Sequence, residues 1–142
     1  MDLVGLMQIS ASGLSAQQVR LEVVAANIAN ANTTRSAEGG PYVRKEPVFQ
    51  AVDLPGGAFS DRLRRHLQQV IVQDIQNDPT GPRRVHDPGH PDADAEGFVE
   101  LPNVDVMREM VDMVSASRSY EANVTALSAT KAMAIKAFEI GK

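Results

Sequence analysis

Apolar residues recur every seven positions at the start of the chain, at Met7, Leu14, Leu21 and Ile28, with Leu3, Ser10, Gln17 and Val24 four places before each. That spacing predicts a helix with a narrow apolar seam within 1–34. Ser10 and Gln17 interrupt one column, and Gly5 and Gly13 lower the helix propensity. The seam therefore suits several helical neighbours better than one dedicated coiled-coil partner. At the other end Met110, Met113, Ser117, Tyr120, Val124, Leu127, Lys131, Ala134 and Phe138 follow alternating steps of three and four. They predict one helix from Asp105 to Ile140, about 54 Å long at 1.5 Å per residue. Pro102 and Asn103 supply its stop and cap, and Gly141 its terminator.

All eight prolines fall between Pro41 and Pro102, so two proline-free helical ends flank a turn-rich middle. Within the middle, Tyr42 to Val52, Gln69 to Ile75 and Phe98 to Leu101 carry the β-branched and aromatic residues of short strands. Tyr42, Phe49, Phe59 and Phe98 are its aromatics, too few to make an insert of roughly 65 residues self-sufficient. The expected fold is mainly α with a small β-rich insert. Helices in 1–34 and 103–142 pair in a helical-bundle or coiled-coil-like core, and 35–102 forms the short-stranded middle between them. Globular helices average about 11 to 12 residues. Two much longer ones in one small chain expect partners in each other and in copies of themselves, and fray when alone.

Charge and composition narrow the function. The net charge of −4 argues against attraction to phosphate backbones or anionic lipid, and no nucleic-acid partner is expected. The absence of cysteine removes disulfides, thiol nucleophiles and thiolate metal sites. No apolar run reaches about 18 residues, and the start lacks the basic and apolar regions of a cleavable signal peptide. Neither a membrane span nor export by such a peptide is expected.

The densest chemistry is His86, Asp87, His90, Asp92, Asp94 and Glu96. Two imidazoles and four carboxylates suit a divalent metal and metal-assisted hydrolysis. Pro88, Gly89 and Pro91, however, prevent the helix that would bring His86 and His90 to one face. Solvated acids on a loop are the favoured reading, with no metal, no cofactor and no catalytic residue. Arg62, Arg64, Arg65, His66, Arg83 and Arg84 lack interleaved aromatics and read as a solvated face. A sharper alternative pairs these arginines with the 92–96 acids of a neighbouring copy, setting register between subunits. Ser12 has no histidine nearby in sequence and no nucleophile-elbow pattern, so serine catalysis has no support.

Ser12-Gly13-Leu14, followed by Val23-Val24-Ala25-Ala26-Asn27-Ile28-Ala29-Asn30-Ala31-Asn32-Thr33-Thr34, resembles the N-terminal signature of the axial proteins of the bacterial flagellum. Gly39-Gly40-Pro41-Tyr42, the run from His86 to Ala95, Pro102-Asn103-Val104-Asp105 and Ser119-Tyr120-Glu121-Ala122-Asn123 are similar to the basal-body rod branch of that family. Together they span almost the whole chain. One position departs: His86 stands where the family more often has tyrosine.

The resemblance implies a non-enzymatic subunit of the proximal rod, in the periplasmic part of the basal body. Such a subunit leaves the cytoplasm through the flagellar type III export apparatus without a cleaved signal peptide. Its partners would be copies of itself, other rod proteins, the rod–ring junction protein and the membrane-ring base, with no small-molecule substrate. Assembly is expected to rest on Met7, Leu14, Leu21, Val24 and Ile28 of the first helix, with Asn27 and Asn30 fixing register. In the second helix Met110, Met113, Tyr120, Val124, Leu127 and Phe138 are expected to carry the packing. His90, Asp92, Asp94 and Glu96 would form a loop between subunits. Two other readings stay open at this point: a hydrolase using the His86 and His90 loop, and a coiled-coil adaptor or export chaperone.

Overall fold

The computed structural model describes residues 3–37, 39–54 and 67–140. Phe59, Arg62, Arg64, Arg65, His66 and Gly141 lie outside the described residues. The elements are α1 (Leu3–Ala29), β1 (Lys45–Asp53), β2 (Gln68–Asn77), β3 (Arg83–His86), β4 (Phe98–Leu101) and α2 (Val106–Ile140). Two long helices thus enclose a few short antiparallel strands, in the expected order. The strand at β3 is additional to the three expected, in a stretch whose arginines read from sequence as a solvated face.

Helix ends follow local chemistry. Beyond Ala29, the Asn30 amide donates to Ala26 O at 2.9 Å and accepts from the Thr33 hydroxyl at 3.2 Å. It thereby occupies a carbonyl that the last turn leaves free. At the start of α2 the cap is Asp105, not Asn103: the Asp105 carboxylate accepts the Met107 N–H at 3.0 Å. An aspartate there also sits favourably against the positive end of the helix dipole.

The strands make two separate two-stranded sheets. β1 and β2 pair antiparallel from Lys45↔Asn77 to Asp53↔Gln68, with an irregularity between Val48 and Phe49. Because Val48 pairs with Asp74 and Phe49 with Val72, Gln73 is the extra residue of a bulge. β3 and β4 run antiparallel from Arg83↔Leu101 to His86↔Phe98.

α1 is central, with α2 against it along much of its length and the β1–β2 hairpin also on it. The cross-contacts Gly13 with Asn123, Arg20 with Asp112 and Asn27 with Glu109 run in opposite order along the two helices, so α1 and α2 are antiparallel. The described core is thin and built of small residues. Ala16, Val23, Val24, Ala31, Leu54, Val99, Val104 and Ala116 are its buried apolar members.

The face that α2 turns inward departs from the sequence expectation. Its buried residues are Glu109, Ala116 and Thr130, whereas Met110, Tyr120, Val124, Lys131 and Phe138 of the expected stripe are exposed and Met113, Ser117, Leu127 and Ala134 are half-buried. The reason is close helix approach. A Cβ on Gly13 would stand 3.0 Å from the Asn123 amide nitrogen, and such short separations need small or polar residues in the seam. On α1 only Val24 of the expected apolar set is buried; Met7, Leu14, Leu21 and Ile28 are half-buried.

Candidate assembly surface and the polar latch beside it

The signature residues of α1 turn out to be the points where three elements meet. Ser12 donates to Ile9 O at 2.8 Å and accepts the Val70 N–H at 3.2 Å. One hydroxyl thus ties the β2 backbone to the helix. Gly13, next in sequence, admits Asn123 of α2. Ser12-Gly13 therefore serves two neighbours on α1, one through a hydrogen bond and one by having no side chain.

Near the other end of α1 lies a buried polar cluster. Asn27 is 1% exposed, and all four hydrogen-bonding positions of its amide are occupied. Its Nδ2 donates to Lys45 O at 2.9 Å and to Glu109 Oε2 at 3.0 Å. Its Oδ1 accepts the Tyr42 hydroxyl at 2.9 Å and the Lys45 N–H at 3.0 Å. Glu109, fully buried, receives Arg44 Nε at 2.7 Å on its other oxygen. Arg44 also pairs with Glu46 and, at 3.2 Å, with Asp78. Burial alone would lower the Arg44 pKa, but the Glu46 and Glu109 carboxylates outweigh it and raise it above its ordinary value. Burial, with the Glu109 charge, raises that of Tyr42.

This latch joins the end of α1, the start of α2 and the entry to β1. With all four positions of its amide occupied inside the chain, Asn27 fixes the register of α1 against α2 and β1. Asn30 is engaged as a helix terminator. Arg44 and Glu109 were not singled out from sequence. The available signal was a carboxylate at 109 flanked by Arg108 and Met110 on a helix otherwise read for its apolar stripe.

The 86–97 loop is likewise organised internally. Asp92 accepts from the Thr34 hydroxyl at 2.7 Å and pairs with Arg35 at 2.5 Å. Those contacts, the Thr34 bond foremost, hold the Asp92 carboxyl below its usual range. Asp94 accepts the Phe98 and Glu96 N–H groups, each at 2.9 Å, and pairs with Arg84 at 2.8 Å. The Phe98 bond leads in lowering its pKa.

Within the chain Arg84 meets Asp94 and lies 4.9 Å over the Phe98 ring. Glu96 is exposed, and His90 accepts the Asp92 N–H at 3.1 Å. His86 packs edge-to-face on Phe98, centroids 5.1 Å apart. An aromatic ring is what this position uses, and tyrosine would serve equally. Among the described residues no three His, Asp or Glu side chains converge as metal ligands would.

The outward side of α2 is apolar. Met107, Met110, Val111 and Val114 follow helical steps of three and four and are 71%, 47%, 67% and 54% exposed. They form one face, roughly opposite that of Glu109 and Ala116. Nearer the C-terminus Met133, Ile135 and Phe138 are 54%, 50% and 79% exposed. So much clustered apolar surface on a charged, otherwise well-solvated chain marks an interaction surface.

Two paired terminal helices with exposed apolar side chains on α2 are the parts of the chain that the family comparisons match. Residues 7–35, nearly all of α1, match the family described as flagella basal body rod protein. Residues 95–139, β4 and nearly all of α2, match the one described as flagellar basal body rod FlgEFG protein C-terminal. The flagellar basal-body rod protein FlgC of Bacillus subtilis is 47% identical, with 96% of each chain covered. Those of Yersinia enterocolitica, at 44%, and Aquifex aeolicus, at 42%, align over all of this chain and 100% and 99% of theirs. The chain belongs to the FlgC family of flagellar basal-body rod proteins.

Proposed function

We propose that this chain is a structural, non-enzymatic subunit of the flagellar basal-body rod that polymerises through its terminal helices. The observation carrying this reading is the Met107, Met110, Val111 and Val114 face, which the monomer leaves in water. Fully burying such a side chain stabilises by about 1.5–3 kcal/mol, so covering the part still exposed here contributes roughly 1–2 kcal/mol per residue. Repeated over copies, that drives association without any catalytic site. Heterologous contacts that do not close give a helical array, the symmetry a shaft needs.

In the assembled rod the segments 1–34 and 103–142 form a coiled-coil-like inner tube, and 35–102 sits against it as the outer contact element. Met110, Tyr120, Val124 and Phe138 contribute to contacts between copies, with Met7, Leu14, Leu21, Val24, Ile28, Met113 and Leu127 shaping the helix pair that presents them. Other rod proteins, the rod–ring junction protein and the membrane-ring base are its further neighbours. It reaches the periplasmic basal body through the type III export apparatus. His86 and His90 are engaged in loop packing, and no observation favours the hydrolase or the adaptor.

The test is replacement of Val111 by lysine in the source bacterium. The expected outcome is normal expression and export with no rod assembly and no swimming. Normal swimming would refute the reading.

A further inference from the structure

The methionines of the chain differ sharply in exposure. Met107 and Met110 lie in the first turns of α2, 71% and 47% exposed, on the face they share with Val111 and Val114. Met113, three residues on, is half-buried, as is Met7 on α1. Met133 is 54% exposed but lies about 35 Å further along α2 at 1.5 Å per residue.

We propose that Met107 and Met110 form an oxidation site through which a hydroperoxide switches off association of the chain. The proposal rests on the rod-subunit reading. A thioether yields two electrons to a peroxide, and its reactivity follows exposure. At each sulfur an S–O bond forms as the peroxide O–O bond breaks. The sulfur is oxidised, and the departing hydroxide takes the proton of the transferred oxygen and leaves as water. The product, methionine sulfoxide, puts a strongly polar group where the face was apolar.

The consequence differs between the free and the associated chain. In the free chain the new oxygen stands in water, and neither side chain belongs to the buried core, so the fold is undisturbed. Once the face is covered, the same oxygen needs a donor, and Met107, Met110, Val111 and Val114 bring none. An acceptor left unpaired in a buried contact weakens association by about tenfold or more. The site therefore acts on assembly and spares folding. Sulfoxide reductases, one for each epimer and drawing electrons from thiols, reverse it.

The test is dilute hydrogen peroxide on the purified full-length chain, followed by peptide mass spectrometry for the sites, circular dichroism for the fold and sedimentation for association. Met107 and Met110 should each gain one oxygen before Met113 does. Helix content should stay that of the untreated chain while association weakens about tenfold, and the two reductases together should restore it. M107L/M110L, compared with its own untreated state, should show no peroxide effect although Met133 can still be oxidised.

Met113 oxidising as fast as Met107 would overturn the site. Undiminished association of chains oxidised at both positions, or a loss that the reductases do not reverse, would overturn the switch, as would a peroxide effect that persists in M107L/M110L. Loss of helix in step with oxidation would overturn its restriction to assembly. An untreated chain that does not associate would instead bring down the rod reading, and this site with it.

Discussion

Replacing Asn27 by aspartate changes one group of atoms and almost no volume, which makes it the sharpest probe of the latch. The amide donates to Lys45 O at 2.9 Å and to Glu109 Oε2 at 3.0 Å. In N27D both donors vanish, and a second carboxylate faces Glu109 at hydrogen-bond distance in a site where Glu109 is fully buried. Two lost hydrogen bonds cost about 0.5–1.5 kcal/mol each, and the like-charge contact adds to them. A total loss of about 3–5 kcal/mol at pH 7 follows, in the range for breaking a buried ionic network. That is a large share of the roughly 5–15 kcal/mol holding a domain together.

The sign of the pH dependence is fixed by the same geometry. Two carboxylates at this distance share a proton, so the pair's folded pKa is raised above its unfolded value. The stability a shared proton supplies is fully present below the unfolded pKa, about 4, and is lost as pH rises through the raised folded value. N27D should therefore recover relative to wild type on acidification from pH 7 toward pH 4. Urea unfolding followed by circular dichroism at several pH values measures this. Adding E109Q removes the repulsion and should restore part of the loss, a coupling that a double-mutant cycle isolates. N27D as stable as wild type at pH 7, or a loss that does not shrink on acidification, would refute the reasoning.

S12A removes the acceptor of the Val70 N–H; about 1 kcal/mol should be lost, with faster hydrogen exchange at Val70 reporting where. V114E, at a residue 54% exposed, should leave monomer unfolding within about 0.5 kcal/mol of wild type while eliminating polymerisation, read by sedimentation. Asp92 and Asp94 have folded pKa values lowered by hydrogen bonds and arginines. Their contribution is present above the unfolded carboxylate value and is lost as pH falls below about 4 through the lowered folded value. Carboxyl titration by NMR should show D92N removing one such depressed transition.

The helices, their order and much of the hairpin were legible because seven-residue periodicity and proline placement are local signals. Which face of α2 turns inward was not. An apolar stripe announces only that a surface wants covering, and on this helix Ala116, Thr130 and Asn123 won the close contact because Gly13 and Ala16 allow α1 to approach. Met110, Tyr120, Val124 and Phe138 of the stripe were left exposed. β3 was obscured because its two arginines and its histidine look solvated until Phe98 is seen beneath Arg84 and His86. The latch was hidden for a different reason: Asn27, Arg44 and Glu109 are far apart in sequence, and no spacing rule joins them. Asn27 could be singled out, but not its partners.

The central claim is that the water-facing apolar side of α2 becomes interior only when subunits gather. A density map of intact basal bodies from the source bacterium tests it most directly. The account predicts this chain traced in the proximal shaft, with Met107, Val111, Val114 and Phe138 enclosed by adjoining helices. A shaft that lacks the chain, or holds it with those four side chains facing solvent, would contradict it.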